Sequence, residues 1–315
     1  MYTDLFKPFI EKCGLVVLDG AMATELEKKG ADLNHPLWSA KLLTENPDLI
    51  KQVHLDYLRA GADVITTASY QASFNGFAKQ GYSKEKGTEL LKLSTRLAIE
   101  AREVYTHDNY FEGPHPLIAA SIGPYGASLA DGSEYRGNYG LSVEELMDFH
   151  RERMSVLSES GADLLACETI PCPDEAIALI NLLKEFPRVK AWISFSCKNE
   201  TEVCDGSLFR DCVSLADESE QVIAVGVNCT APQFVESLIR IAKTASSKHI
   251  LTYPNKGEVW DAVHKCWLPG TGSVDFENMV LSWYDAGASL IGGCCRCSPT
   301  VIKILRAALC NHQRS

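Results

Sequence analysis

The sequence of 315 residues lacks the features that mark several large classes of proteins. No segment reaches the roughly 18 uninterrupted apolar residues that a membrane-spanning helix needs. Basic residues are fewer than acidic ones, 30 Lys and Arg against 41 Asp and Glu, so the formal net charge is −11. Because a nucleic-acid-binding protein normally presents a basic face, we expect no nucleic-acid partner. The lack of a long apolar segment likewise predicts that the chain does not span a membrane.

Other absences narrow the class further. Neither a G-x-G-x-x-G motif nor a P-loop is found, and the eight histidines show no metal-ligand spacing. The amino-terminal segment MYTDLFKPFIEKCG mixes charged with apolar residues, so it has no signal-peptide h-region. Twelve cysteines in this length are too few for a disulfide scaffold. We therefore expect a cytoplasmic protein whose isolated cysteines are small buried side chains.

Eight short apolar runs, each bounded by turn residues, predict strands buried on both faces of a parallel sheet. They begin at Leu15, Asp63, Leu117, Asp163, Lys190, Val222, His249 and Ser289. Amphipathic helical patterns lie between them. One starts at an Asn46 cap with Pro47 in the first turn and stops at Gly61, and another starts at Ser142, has Glu145 in a capping box and stops at Gly161.

The order of these elements predicts the fold. Three similar segments, RAGADVITT, ESGADLLAC and DAGASLIGG, each run from a helix end through glycine into a strand, which indicates a repeated unit. Strands alternate with helices, and no linker rich in Pro, Gly or Ser divides the chain. We predict one (β/α)8 TIM barrel domain over residues 1–315. An open doubly wound sheet is the competing fold, although its usual glycine motif is absent.

Barrel enzymes carry their reactive residues where strands end and the following loops begin. Polar or reactive side chains occupy these positions here: Asp19, Tyr70, Glu168, Asn228, Cys229, Asn255, Cys294 and Cys295. If the sixth and eighth strands end at the same mouth, Cys229 joins the adjacent pair Cys294 and Cys295. Gly292 and Gly293 precede this pair and would let the backbone turn sharply, so that both sulfurs point into the barrel mouth.

Three sulfurs with one open position are typical of a catalytic zinc site. Buried core cysteines and redox-active thiols are the alternatives that the residues leave open. Cys297 is a possible fourth ligand, but Arg296 and a helix starting at Pro299 favour its pointing away. Beside such a site, the carboxylates of Asp19 and Glu168 would suit a ligand ammonium group or a cationic donor. The alternative for Glu168 is a helix cap or an ion pair.

The loop of residues 129–140, LADGSEYRGNYG, contains three glycines together with Glu134, Tyr135 and Arg136. It is either a mobile surface loop or a lid whose acidic and aromatic groups hold a sulfonium or quaternary cation.

Taken together, six segments resemble the homocysteine S-methyltransferases, and in particular their single-domain, S-methylmethionine-dependent branch. These segments are LDGAMATELEKKGADLNHPLWSAKLL, TTASYQASFNGF, SIGPYGASLADGSEYRGNYG, GVNCTAP, YPNKGEVWDA and IGGCCR. The resemblance implies a zinc-dependent (β/α)8 barrel with Cys229, Cys294 and Cys295 as the Zn²⁺ ligands. The chain departs from the family at GGCCRCSP, where GGCCRTTP is common, which leaves the role of Cys297 undecided.

The same resemblance implies roles for the other rim residues. Asp19 and Glu168 would hold the amino group of homocysteine, and Gly20 with its neighbours would offer N–H groups to its carboxylate. Asn255 would fill the open zinc position before substrate arrives, with Asn228 the weaker candidate; Tyr70 would also contact substrate.

The implied reaction moves a methyl group from S-methylmethionine, or less well from S-adenosylmethionine, to zinc-bound homocysteine and forms methionine. The alternatives are a betaine-type donor in a related barrel and a zinc or thiol sensor without catalysis. The sequence does not separate a monomer from a homo-oligomer.

Overall fold

The structure is a computed structural model that describes residues 4–35, 37–108, 113–257, 259–261, 266–268 and 275–312. The described strands are β1 Val16–Val17, β2 Val64–Thr66, β3 Leu117–Ile122, β4 Leu164–Ile170, β5 Ala191–Phe195, β6 Val222–Asn228, β7 His249–Tyr253, β8 Val259–Asp261, β9 Cys266–Leu268 and β10 Leu290–Ile291. The described α-helices are α1 Lys7–Cys13, α2 Met22–Lys28, α3 Leu42–Glu45, α4 Pro47–Ala60, α5 Phe74–Lys79, α6 Lys84–Asp108, α7 Val143–Ser158, α8 Pro173–Leu183, α9 Phe209–Asp217, α10 Pro232–Ala245, α11 Phe276–Asp285 and α12 Pro299–His312. Short 3-10 turns lie at Trp38–Lys41, Tyr125–Leu129 and Ser133–Tyr135.

Eight parallel strands form the central sheet, in the order β1-β10-β7-β6-β5-β4-β3-β2. A parallel bridge between Leu18 and Val64 joins the two ends of this order. The Asp19 N–H donates to the Val64 carbonyl at 3.0 Å across the same junction. The predicted (β/α)8 barrel is therefore confirmed, and the alternative of an open sheet is wrong. The β8 and β9 strands pair separately as an antiparallel hairpin.

Each of the eight apolar runs contains one barrel strand, and the strands are buried almost throughout. Inward-facing side chains such as Trp192 and Leu251 pack inside the ring together with Phe6 and Phe9 at the start of the chain. A larger cluster fills the layer between the sheet and the helices. Burial on both faces explains why these runs show no polar alternation.

Helix ends follow local chemistry. Asn46 caps α4 by accepting the Leu49 N–H, and Gly61 ends the helix with φ 103°. Ser142 and Glu145 form the predicted capping box of α7, but this helix ends at Ser158 rather than at Gly161. Gly161 still adopts a left-handed φ of 91° in the turn that leads into β4. Within the described ranges, each helix is too short or too polar to cross a lipid bilayer.

The α7 cap can be tested by Ser142→Ala. We expect this change to lower the free energy of unfolding by about 1 kcal/mol, because the Glu145 N–H loses its side-chain acceptor. Urea unfolding followed by circular dichroism would measure the loss. Ser155→Ala removes the same hydroxyl from the last turn of the helix and should cost nothing. Equal losses in both variants would contradict the role of the cap.

Candidate functional site

The carboxyl ends of the strands bring the polar rim residues to one mouth of the barrel. Asp19 follows β1, Glu168 lies in β4, and Asn228 ends β6 with Cys229 next to it. Asn255 follows β7, and the adjacent cysteines follow β10. Parallel strands place all of these groups at the same end, where barrel enzymes build their active sites.

Three sulfur atoms converge at this mouth. The Sγ atoms of Cys229, Cys294 and Cys295 all lie within 4.8 Å of one another. The Sγ atoms of Cys229 and Cys295 are 3.9 Å apart. Cys229 and Cys294 are paired as a disulfide with their Cα atoms 5.5 Å apart, a pairing that the sequence did not predict. Residues separated by 65 positions thus meet through the fold alone.

Main-chain hydrogen bonds between neighbouring loops fix these cysteines. The Cys229 N–H donates to the Tyr253 carbonyl at 3.2 Å, and the Cys294 N–H donates to the Pro254 carbonyl at 2.7 Å. The Lys256 N–H donates to the Cys295 carbonyl at 3.1 Å. Because β7 lies between β6 and β10 in the sheet, the loop after β7 ties both cysteine-bearing ends together.

The glycines before the cysteine pair serve close packing rather than a sharp turn. Neither Gly292 nor Gly293 has a positive φ. A Cβ at Gly292 would come within 2.9 Å of the Asp19 carbonyl, and a Cβ at Gly293 would collide with Cys297. The predicted reason for these glycines was therefore wrong, because it is the approach of other chain segments that excludes a side chain.

Cys297 lies outside the three-sulfur cluster and is fully buried. Its carbonyl accepts hydrogen bonds from the Ala21 N–H and the Tyr57 hydroxyl, both at 2.9 Å. Arg296 before it adopts a left-handed φ of 70°. The prediction that Cys297 points away from the site is confirmed, and its peptide group supports the loop after β1.

That support explains the need for glycine at position 20. A Cβ on Gly20 would collide with the Cys297 carbonyl and approach the Tyr57 ring to 2.9 Å. The Ala21 N–H already donates to Cys297, which removes one of the N–H groups that the sequence offered to a substrate carboxylate. The role of Gly20 itself in binding stays a prediction.

The residues around the sulfurs fit a zinc ion. Thiolates are preferred zinc ligands, and three of them leave a fourth position. Tetrahedral ligands at about 2.3 Å from zinc would be roughly 3.8 Å apart, close to the Cys229 to Cys295 separation. The buried Oδ1 of Asn255, in the loop after β7, has no hydrogen-bond partner in the part of the chain that the structure describes. Burial raises the pKa of the Cys295 thiol to about 12, so a thiolate there requires a nearby cation.

Two buried carboxyl groups stand on the strand ends. Asp19 accepts hydrogen bonds from the Thr66 N–H at 2.8 Å and the Thr66 hydroxyl at 3.1 Å. Burial raises its pKa to about 8, and the charge of Glu168 adds to this rise. Burial likewise raises the pKa of Glu168 to about 7, although Ser121 and Tyr253 donate hydrogen bonds to it. A substrate ammonium would stabilise the charged form of both groups.

Glu168 is directed by an irregularity in β4. Thr169 has φ 62°, a left-handed conformation that is rare for a β-branched residue. The pairing of β4 with β5 shifts register between Cys167 and Ile170. The fully buried Asn228 amide accepts the Thr169 N–H and donates to the Thr169 hydroxyl, both at 2.7 Å. The Asn228 amide is thus used within the protein, and a substrate contact by Asn228 stays a prediction.

The loop of residues 129–140 forms one wall of the mouth. The Tyr135 side chain lies beside Cys295, and the Tyr70 side chain lies beside Thr169. Glu134 is half-buried, and burial raises its pKa to about 7. Its Oε2 atom has no hydrogen-bond partner within the described ranges. Arg136 instead is exposed, 3.5 Å from Asp131. The wall is acidic and aromatic, as the sequence of the loop indicated.

Sequence reasoning missed a buried polar network behind this wall. The Arg153 guanidinium donates to His150 Nδ1 at 2.7 Å, which leaves Nε2–H to donate to Glu175 at 2.8 Å. Arg153 also donates to the carbonyls of Ala72 and Gly123, and Glu175 accepts the Tyr125 N–H. The network thus ties the loop after β2 to the loop after β3. The sequence did contain a signal for this network. His150 and Arg153 lie on the otherwise apolar face of α7, where buried polar side chains need partners.

Comparison with known proteins agrees with this geometry. A sequence model of the homocysteine S-methyltransferase family matches residues 16–309. The chain is 53% identical to homocysteine S-methyltransferase YbgG of Bacillus subtilis over 93% of this chain and 94% of that protein. It is 48% identical to homocysteine S-methyltransferase 2 of Arabidopsis thaliana over 98% and 97% of the two chains. The metallated form of homocysteine methyltransferase MmuM from Escherichia coli is 44% identical, with a TM-score of 0.86 over 95% of this chain and 98% of that one.

The two hydrogen bonds between the Asn228 amide and Thr169, here called the Asn228 clamp, can be tested by Asn228→Ala. We expect the free energy of unfolding to fall by about 1–3 kcal/mol, because a buried N–H loses its acceptor. Denaturant unfolding with a metal chelator in every sample would exclude effects of metal loss. Asn199→Ala is the matched control, since Asn199 accepts two N–H groups in a turn that water can reach. If Asn228→Ala loses no more free energy of unfolding than Asn199→Ala, the Asn228 clamp does not stabilise the fold.

Proposed function

The chain belongs to the homocysteine S-methyltransferase family, and from this premise we propose that it methylates homocysteine with S-methylmethionine, or less well with S-adenosylmethionine, and that zinc is required. The observation that carries the proposal is the convergence of three cysteine sulfurs and two buried carboxyl groups at one mouth of the barrel. The sulfurs suit a thiophilic metal, and the carboxyl groups suit the ammonium of an amino-acid substrate.

Cys229, Cys294 and Cys295 would hold the zinc ion, with Asn255 nearby. Bound zinc would supply a Lewis acid that keeps the substrate thiol deprotonated at neutral pH. The metallated form of the Escherichia coli relative supports a metal in this family. The disulfide between Cys229 and Cys294 must be reduced before all three sulfurs can serve as ligands.

Asp19 and Glu168 would bind the ammonium group of homocysteine. Their raised pKa values mean that an arriving ammonium replaces protons on the carboxyl groups and restores their charge. The Thr66 and Tyr253 hydrogen bonds hold the carboxylate oxygens in fixed directions. This fixed attachment would orient the thiol end of the substrate towards the sulfur cluster.

The methyl group would pass by in-line displacement. The substrate sulfur forms a bond to the methyl carbon, and the electrons of the broken bond return to the donor sulfur, which leaves as a neutral thioether. With S-methylmethionine both products are methionine, and the thiol proton is released to solvent. Since the leaving group is neutral, no acid catalyst is required. This agrees with a rim of carboxyl groups and aromatic rings.

Alignment of the two substrates can lower the reaction barrier by more than deprotonation of the thiol does. A free thiol with a pKa near 8.5 is about 3% thiolate at pH 7, so full deprotonation contributes about 30-fold, or about 2 kcal/mol. Alignment of two reactants can contribute on the order of 7–11 kcal/mol. We attribute the larger part of the rate to the residues that hold both substrates.

A thiol or metal sensor without catalysis is the second candidate, favoured by the disulfide between Cys229 and Cys294. A methyltransferase would form methionine, whereas a sensor would not. An assay of homocysteine with S-methylmethionine, S-adenosylmethionine and betaine in turn, following methionine, would separate them. Zinc content without turnover on any donor would support the sensor, and turnover with betaine alone would contradict the sulfonium donor.

The zinc site can be tested by Cys295→Ala. We expect loss of stoichiometric zinc and of methionine formation, because two sulfurs bind the ion much less tightly than three. Elemental analysis and the donor assay would be run on the same reduced sample. Cys204→Ala is the control, since Cys204 is a half-buried cysteine outside the cluster. Full zinc and activity in Cys295→Ala would overturn the assignment.

The ammonium site can be tested with an acceptor that lacks the amino group, 4-mercaptobutanoate. The wild-type protein should prefer homocysteine by about tenfold or more in kcat/KM, since an ionic hydrogen bond of this kind contributes about 1.5–3 kcal/mol. Glu168→Gln should reduce that preference and leave the zinc content unchanged. A preference that survives the substitution would show that Glu168 does not bind the ammonium.

A further inference from the structure

We propose that Glu134 binds the ammonium group of the methyl donor, while Tyr70 and Tyr135 face its sulfonium. This inference rests on the proposed function and extends it, because it assigns a separate subsite to the second substrate. Asp19 and Glu168 then serve homocysteine, and Glu134 serves the donor.

The first observation is an unpaired oxygen. Glu134 Oε2 is buried and has no hydrogen-bond partner among the described residues. A buried carboxylate oxygen without a donor is costly to keep, and such groups usually have a functional reason. Arg136 of the same loop acts on Glu134 through its charge, but its hydrogen bond goes to Ser133 at 2.8 Å and it lies 3.5 Å from Asp131. A cationic ligand group would satisfy this oxygen.

The second observation is the fixed position of Glu134 at the mouth. Its carbonyl accepts the Ser196 hydroxyl at 3.3 Å, which ties the loop to the end of β5. A Cβ on Gly126 would come within 2.5 Å of the Glu134 nitrogen, so the loop is closely packed against the segment after β3. The side chain of the next residue, Tyr135, lies beside Cys295. Glu134 is therefore held on the wall beside the sulfur cluster.

The third observation is the chemistry of the neighbours. Burial raises the pKa of Tyr70 and of Tyr135, and the charge of Glu134 adds to both rises, so the carboxylate lies near both side chains. Aromatic faces attract cations without forming a fixed ion pair. S-Methylmethionine carries two positive groups, a sulfonium and an ammonium, and this region offers a partner for each.

The two charges of the donor differ in their fate. The sulfonium charge disappears as the methyl group leaves, so a carboxylate paired with it would stabilise the substrate more than the transition state. The ammonium charge persists throughout the reaction. Pairing Glu134 with the ammonium therefore binds the donor without raising the barrier, and it selects amino-acid sulfonium donors over simpler ones.

The test compares two donors on Glu134→Gln. S-Methylmethionine has the ammonium group, whereas dimethylsulfoniopropionate has a sulfonium but no amino group. With saturating homocysteine, we expect the KM for S-methylmethionine to rise about tenfold or more, with kcat within about threefold of the wild-type value. The KM or, without turnover, the competitive inhibition constant for dimethylsulfoniopropionate should not change.

Asp131→Asn is the matched control, because it removes a carboxylate from the exposed side of the same loop. It should behave as the wild-type protein with both donors. Zinc content and the KM for homocysteine should also be unchanged in Glu134→Gln, which would show that the site remains assembled. If this variant proves unstable, Glu134→Asp retains the charge at shorter reach and should show a smaller rise in KM.

Two results would overturn the inference. An unchanged KM for S-methylmethionine in Glu134→Gln would show that the donor does not contact Glu134. Equal losses with both donors would assign Glu134 to the sulfonium rather than to the ammonium. Failure of the proposed function is distinct from both, since it would appear as no methionine formation by the wild-type protein with any donor.

Discussion

The close contact between the loops after β1 and β10 is the constraint on which the site depends. Gly20 lies against the Cys297 carbonyl, and Gly292 lies against Leu18 and the Asp19 carbonyl. Tyr57 from α4 bonds to the same Cys297 carbonyl. Because these segments touch through main-chain atoms, the carboxylate after β1 and the cysteines after β10 keep a fixed relation. A side chain at any of these glycines would separate the acidic half of the mouth from its sulfur half.

Buried acidic groups are concentrated at the mouth of the barrel. The mouth collects thiols and the carboxyl groups of Asp19, Glu168 and Glu134, and burial raises the pKa of each of these three acids to between about 7 and about 8. Without cationic ligands the site therefore retains protons near neutrality. Binding of cationic groups would release them, so substrate binding and proton release are linked.

Much of this arrangement follows from the sequence. Eight apolar runs gave the strands, local capping chemistry gave the starts of α4 and α7, and the parallel order placed Asp19, Glu168 and Cys229 at one end. Three features could not be predicted from the sequence, because they depend on contacts between distant segments. They are the left-handed Thr169, the Asn228 clamp, and the network of His150, Arg153 and Glu175. The same limit explains the error at Gly292 and Gly293: sequence shows that a glycine is present, but not which neighbour requires it.

The neighbouring positions of β1 and β10 have a consequence for biogenesis. These two strands come from opposite ends of the chain, yet they close the ring side by side. On the ribosome, Cys229 would be made well before its two partners, and the ring cannot seal until β10 has left the exit tunnel. The three cysteines would then meet only late in folding, and a nascent chain stalled before residue 295 would expose an unsealed sheet edge to chaperones.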